Sequence, residues 1–222
     1  GMVSKDNLTD IVAQLMRQLD SPDTTHRDEL VAVVLKACRC DGFAHVPSFK
    51  WLVSCLITLL RMESAHGGDA ADQLVEVALR VPAVRGFAAE RCQQLLLSAA
   101  HDLYASGRYV DALSACETVY QQDASRTDNL LLMGAIHFQL RNFSECIFYN
   151  QQCIRVDPNF SEAYSNLGNA LRTLGKPDVA ATLLGQSLAL GLNANNANAY
   201  TNLGAALQDT GRSKEALEYL EI

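Results

Sequence analysis

The chain has 222 residues, 49% of them hydrophobic and only five of them proline, enough apolar material for a large core or one long stack of helices. A formal net charge of -7 and a pI near 5.2 exclude a general affinity for nucleic acid, whose phosphates require a basic surface. Seven cysteines, an odd number without a CxxC pair, exclude a disulfide framework and read as small buried hydrophobes of a reducing, cytoplasmic setting.

Leu8, Ile11, Val12, Leu15, Met16 and Leu19 recur at steps of three and four, which predicts a first amphipathic helix with Asp6 or Asn7 as its N-cap. Its alternation of charged and apolar residues leaves no signal peptide. Ser21-Pro22-Asp23 ends it and starts the next, because proline is tolerated in a first helical turn and not inside. Leu30, Val31, Val34, Leu35 and Cys38 line the second helix, which Asp41-Gly42 breaks. Pro47 opens a third helix reaching Met62. The apolar run WLVSCLITLLRM within it is about half a membrane span and is bracketed by Lys50 and Arg61, so a buried helix is expected and a membrane segment is not. After the loop SAHGGD, Ala70 to Leu79 forms a fourth helix before Val81-Pro82. No strand pattern appears.

The second half repeats itself. Gly134, Gly168 and Gly204 lie 34 and 36 residues apart, each in an amphipathic stretch where the missing side chain admits a neighbouring helix. In SEAYSNLGNALRTLG the residues Tyr164, Leu167, Gly168, Leu171 and Leu174 share one face. A second small position follows the same step through Ala112, Cys146, Ala180 and Ala216. Two coupled periods near 34 residues, each holding two short helices, predict a helical repeat in which no unit buries its apolar face alone.

Two resemblances follow from these blocks. GMVSKDNLTDIVAQLMRQLD, HRDELVAVVLKAC, SFKWLVSCLITLLRMESAHGG and ADQLVEVALRVPAVRGFAAE, covering about Gly1 to Gln93, resemble the trunk of delta-type adaptins, subunits of an adaptor complex for transport toward lysosomes. That resemblance implies a HEAT-like segment, a role in protein transport, and a start at Gly1-Met2 that lies inside a longer parent. From Ala99 onward, RTDNLLLMGAI and DPNFSEAYSNLGNAL resemble the N-terminal tetratricopeptide array of protein O-GlcNAc transferases of the plant and algal type. The last unit departs from it, with a longer connection and Leu192 where a proline like Pro158 is expected. The implied architecture is an all-α, right-handed α-solenoid of about twelve helices. HEAT-like pairs occupy 1–92 and tetratricopeptide repeats 93–222, at about 93–126, 127–160, 161–196 and an incomplete 197–222. In a continuous stack, Phe87, Leu95 and Leu96 would pack on Val77 and Leu79 before them and on Leu113 and Val119 after them.

No phosphate-cradling glycine loop, GxSxG or HExxH is present, so neither a catalytic residue nor a cofactor is expected. The resembling transferases carry their sugar-nucleotide site in a later domain that nothing here matches, which would make this chain a non-catalytic arm. Cys38, Cys40 and His45 fit no common zinc spacing and lack a fourth ligand, so no metal is assigned. His137 reads as a packed helix residue and His101 as a rim residue. Glu162, Asp178 and Glu215 read as first-turn charges favoured by the helix dipole. Phe49 and Trp51 read first as a wedge between helices and second as a partner anchor. Arg80, Arg85 and Arg91, the one basic cluster in the sequence, read as a solvated rim.

The candidate site is made of amides. In the resembling transferases, asparagines at the position of Asn166 and Asn202 form a ladder that holds the backbone of an extended polypeptide, and Asn169 could add a contact. An amide both donates and accepts, so it can grip any sequence through its peptide groups. Leu132 and Ser98 hold that position in the earlier units, leaving two rungs. The competing reading, that these amides bond to neighbouring repeats or to water, has equal weight on sequence grounds. The expected partner is a protein or extended peptide. Leu217 and Leu220, exposed on an uncapped last repeat, add the expectation of self-association.

Overall fold

In a computed structural model of the chain, the described residues are 4, 7–20, 26–62, 64–191 and 197–220. The expectations at Asp6, Ser21-Pro22-Asp23 and Leu192 fall outside them. Twelve α-helices and two short 3-10 turns, with no strand, make up the regular structure of the described residues. The chain divides into two compact units, Gly1–Leu95 and Leu96–Ile222.

The first unit contains α1 (Leu8–Leu19), α2 (Arg27–Arg39), α3 (Phe49–Leu60) and α4 (Gly67–Arg80). Leu8, Val12, Val31, Val34, Leu52, Val53, Leu56 and Val77 form its core at 1% exposure or less. Full burial of such side chains contributes about 1.5–3 kcal/mol each, which gives these short helices the stability that propensity alone denies them. Phe49 and Trp51 pack against that core as a wedge.

Helix ends differ from the sequence expectation for identifiable reasons. Asn7 is the N-cap of α1, but its Oδ1 accepts from the Ser4 N–H at 2.7 Å and not from the helix. Pro47 lies before α3, and Ser48 is its cap, with Oγ accepting from the Trp51 N–H at 3.1 Å. α4 starts at Gly67, so half of the expected loop is helical. Arg85 is exposed, as the rim reading expects, and also caps α4: its guanidinium donates to the carbonyls of Ala78 at 2.7 Å and Leu79 at 3.1 Å, the orphan acceptors at that helix end. Arg80 pairs with Glu76 at 2.7 Å, and Arg91 donates to Gln94 at 2.9 Å. Leu79, expected in the core, is 68% exposed.

A 3-10 turn, Pro82–Val84, leads into α5 (Arg85–Ala105), and the boundary between the units falls inside this 21-residue helix. Phe87 and Leu95, half-buried, pack against the first unit's core, and Ala100 belongs to one core of the second.

The second unit continues with α6 (Tyr109–Gln122), α7 (Thr127–Gln139), α8 (Phe143–Val156), α9 (Ser161–Thr173), α10 (Pro177–Leu190), α11 (Ala197–Asp209) and α12 (Ser213–Leu220). Each helix packs on the next, and α9 also touches α7 and α11, so the first helices of successive pairs share one side. The small position at Ala112, Cys146, Ala180 and Ala216 is wholly buried in all four pairs. A Cβ on Gly168 would come within 2.7 Å of Leu184 Cγ, and one on Gly134 would overlap the Asn150 amide one repeat earlier. Those glycines are what lets α10 and α8 approach their partners.

The first helix of each pair ends identically. The N–H groups of Arg108, Asn142, Lys176 and Arg212 bond to the carbonyls of Leu103, His137, Leu171 and Leu207 at 2.9–3.0 Å. The residue before each is left-handed: Gly107, Arg141, Gly175 and Gly211. This is the Schellman motif, for which glycine is the unstrained choice. It turns the chain out of the helix, so Leu174, expected on the apolar face of α9, is 45% exposed.

Candidate peptide-binding groove

The shared side of α5, α7 and α9 carries an open pocket of about 190 Å³ lined by Tyr104, Ala135, Phe138, Gln139, Asn166 and Asn169. Every lining residue belongs to the second unit. Tyr104 and Phe138 hold the same position one repeat apart, near the end of α5 and of α7, and supply two aromatic surfaces. Gln139 Nε2 donates to the Tyr104 hydroxyl at 3.3 Å, tying successive first helices together at the pocket edge.

Asn166 and Asn169 project from α9 one turn apart, as residues three apart on a helix do. Both are half-buried. Asn169 Oδ1 is buried without a hydrogen-bond partner, an acceptor removed from water and left unmatched. Such a group costs about 1–3 kcal/mol while it stays unsatisfied, so a donor arriving in the pocket has something to gain.

Asn202 occupies the equivalent position in α11 and is half-buried, but it does not line this pocket. Leu132, the equivalent in α7, is 4% exposed and belongs to the core. The amide position therefore lies at the edge between core and groove. The aromatic pair at Tyr104 and Phe138 escaped sequence reasoning. Its signal was the 34-residue step shared with the glycines, hidden because both residues look like ordinary core aromatics.

His137 is buried and stacks on Tyr149, with ring centroids 5.3 Å apart and planes 12° from parallel. Desolvation pushes its imidazole below the usual histidine range, against the weaker pull of Glu145 and Glu117. It is a neutral core ring. His101 is exposed. The buried thiols of Cys38 and Cys116 are pushed up to about 12, and those of Cys146 and Cys153 to about 11, by the loss of water around them. These four cysteines are inert packing groups. No helix among the described residues is long and apolar enough to cross a membrane.

Residues 159–221 match the family model described as tetratricopeptide repeat. The chain is 40% identical over 122 residues to AP-3 complex subunit delta-1 of Bos taurus, a match covering 54% of this chain and 10% of that protein. It is 44% identical over 84 residues to the probable UDP-N-acetylglucosamine--peptide N-acetylglucosaminyltransferase SEC of Arabidopsis thaliana, covering 38% of this chain and 9% of that protein. It thus spans about a tenth of the length of each of these relatives. Among solved structures, an O-GlcNAc transferase of Thermobaculum terrenum superposes with a TM-score of 0.51 at 27% identity, over 54% of this chain and 22% of its own. The chain is an all-helical repeat protein that carries tetratricopeptide sequence in its last third and resembles both adaptor delta subunits and O-GlcNAc transferases.

Proposed function

We propose that the second unit is a non-catalytic scaffold that binds an extended polypeptide along the shared side of α5, α7, α9 and α11, as the substrate-recruiting arm of an O-GlcNAc transferase would. The observation that carries this reading is the pocket in which two amides, one with an unmatched buried acceptor, face two aromatic rings. Amides take peptide N–H and C=O groups of any sequence, and the rings add apolar area for side chains. Asn202 extends the same line of amides onto α11. The activity of the transferase relatives is absent from this chain on this reading, and incubation with UDP-N-acetylglucosamine and an acceptor peptide gives no product.

The test is binding of a fluorescent, disordered polypeptide to the full chain, with Asn166→Ala, Asn169→Ala and Asn202→Ala compared singly and together. The triple variant weakens binding about tenfold or more, the loss of one to two net hydrogen bonds at least, with helicity unchanged. Equal affinity in the triple variant and the parent removes the amides from the mechanism.

A second reading rests on the adaptor match, which covers more of the chain than the transferase match. On it, the first unit contributes to a vesicle-trafficking adaptor in the cytoplasm. Pull-downs with surface variants of each unit separate the two readings: adaptor subunits respond to changes in the first unit, extended peptides to changes in the second. Leu217, 54% exposed on α12, offers an apolar contact to a second copy of the chain. Light scattering over a wide concentration range tests it, and Leu217→Lys is expected to shift any dimer toward monomer.

A further inference from the structure

Away from the groove, the segment after α2 gathers three metal-ligating side chains of three different kinds. The Sγ of Cys40, a carboxylate oxygen of Asp41 and a ring nitrogen of His45 all lie within 4.8 Å of one another. His45 Nε2 is already 2.9 Å from Asp41 Oδ2. Sequence spacing gave no reason to expect this, because Cys40 and Asp41 are adjacent and would point apart on a regular helix.

The backbone brings them together. Asp41, Gly42 and Phe43 are left-handed in succession, with φ of 49°, 63° and 71°. For the two non-glycine residues that conformation costs about 1–2 kcal/mol each, so something must hold it. Phe43 does so by burying its ring to 4% exposure, with the Arg80 guanidinium 6.0 Å from the ring centre. The amides of Ala44 and Val46 close the turn on the carbonyls of Asp41 and Phe43 at 3.3 and 3.2 Å. The three donors thus stand on a turn anchored in the core on one side and open to solvent on the other.

We propose that Cys40, Asp41 and His45 bind one divalent cation of the zinc class, with water in the fourth position. A thiolate and a carboxylate balance two positive charges, and sulfur with imidazole nitrogen selects zinc over calcium or magnesium, which take oxygen ligands. For bonds of about 2.0–2.3 Å, tetrahedral donors stand roughly 3.3–3.7 Å apart. The present spread closes to that by rotation of two side chains, Asp41 being largely exposed and His45 partly so. On binding, the Cys40 S–H bond breaks, its proton goes to solvent, and the sulfur's electron pair forms the bond to the cation. His45 ligates through Nε2, keeping its proton on Nδ1. Arg39, the residue before Cys40, and Arg80, over the Phe43 ring, are each paired with Glu76, at 3.0 and 2.7 Å. Cys38, the other thiol that the sequence brought into question, is buried in α2 and takes no part.

The experiment is titration of the full, reduced chain with Co²⁺, followed by Zn²⁺. One equivalent of cobalt produces a thiolate-to-metal charge-transfer band together with the visible bands of a four-coordinate ion, releases protons into a weakly buffered solution, and is displaced by zinc. Cys40→Ser abolishes the charge-transfer band, while Asp41→Asn and His45→Gln each weaken binding by about tenfold or more. Cys55→Ser, at another thiol of the same unit, leaves the titration unchanged, and circular dichroism keeps all variants comparable. No band at excess cobalt overturns the proposal. So does a band that survives Cys40→Ser or disappears in Cys55→Ser.

Discussion

The hydroxyl of Ser187 donates to the carbonyl of Ser161 at 2.7 Å, joining the last turn of α10 to the first residue of α9. One repeat earlier the thiol of Cys153 reaches the carbonyl of Thr127 at 3.6 Å, the same bond made by a weaker donor. Each closes a helix pair through a first-turn carbonyl. Ser187→Ala leaves that bond unmade and is expected to cost about 0.5–1.5 kcal/mol, read as a lower urea midpoint with an unchanged slope. Ser187→Cys, which copies the earlier repeat, should lose less.

The glycines of the second unit separate two effects that usually mix. Alanine is about 0.8–1 kcal/mol better than glycine inside a helix when nothing is in the way. A Cβ on Gly185 meets nothing within 4 Å, so Gly185→Ala should stabilise the chain by about that amount. At Gly168 the new methyl collides with Leu184 and comes within 3.3 Å of the Ala180 carbonyl, and overpacking costs about 1–3 kcal/mol. Gly168→Ala is therefore expected to destabilise despite its better propensity. Thermal unfolding of the two variants side by side gives shifts of opposite sign.

Arg141 is the non-glycine member of the four Schellman turns, at φ 62°. Its side chain is exposed, so the substitution changes backbone preference and little else. Arg141→Gly should stabilise by about 0.5–1 kcal/mol, the relieved strain being partly offset by a more flexible unfolded chain. A fall in the denaturation midpoint would mean that the arginine has a role in holding α7 to α8.

Stability should narrow from both ends of the pH scale. His137 is depressed by burial, so its contribution is complete above the ordinary histidine value of about 6.5 and is lost as pH falls through the lower folded value. The buried thiols are raised, so theirs is complete below about pH 8.5 and is lost as pH climbs toward 11–12. Urea midpoints should form a plateau between these limits. His137→Phe should flatten the acid side and leave the alkaline side alone. At pH 8 a disulfide reagent should modify half-buried Cys40 well before Cys38 or Cys116.

The helical periodicity of the second unit was legible because burial there is set by spacing: the buried small position falls on the four predicted residues, and two of the three predicted glycines, Gly134 and Gly168, are close-packed. The first unit's core was legible for the same reason: of the residues read as lining α2, Val31, Val34, Leu35 and Cys38 are buried, and Leu30 packs against the core half-buried. Helix ends were not, because they depend on local bonds such as Ser48 to Trp51 and Arg85 to Ala78, which compete closely with alternatives a residue or two away. The candidate groove was half legible. Asn166 and Asn169 could be placed by helical register, but Tyr104 and Phe138 reach the same pocket from separate helices. Cys40 and His45 could be singled out by residue type, but Asp41 and the convergence of all three could not, since it arises from left-handed angles at Asp41 and Phe43 that non-glycine residues disfavour.

The socket left by a missing side chain is filled differently in adjacent repeats: Gly134 receives the amide of Asn150, and Gly168 receives the isobutyl group of Leu184. Swapping α8 and α10 alone would press a polar group into a cavity shaped for hydrocarbon and a branched one against a site fitted to a planar amide. Whatever shuffling of modules built or will rebuild this array, the smallest tradable piece is the matched couple of helices, glycine and filler together.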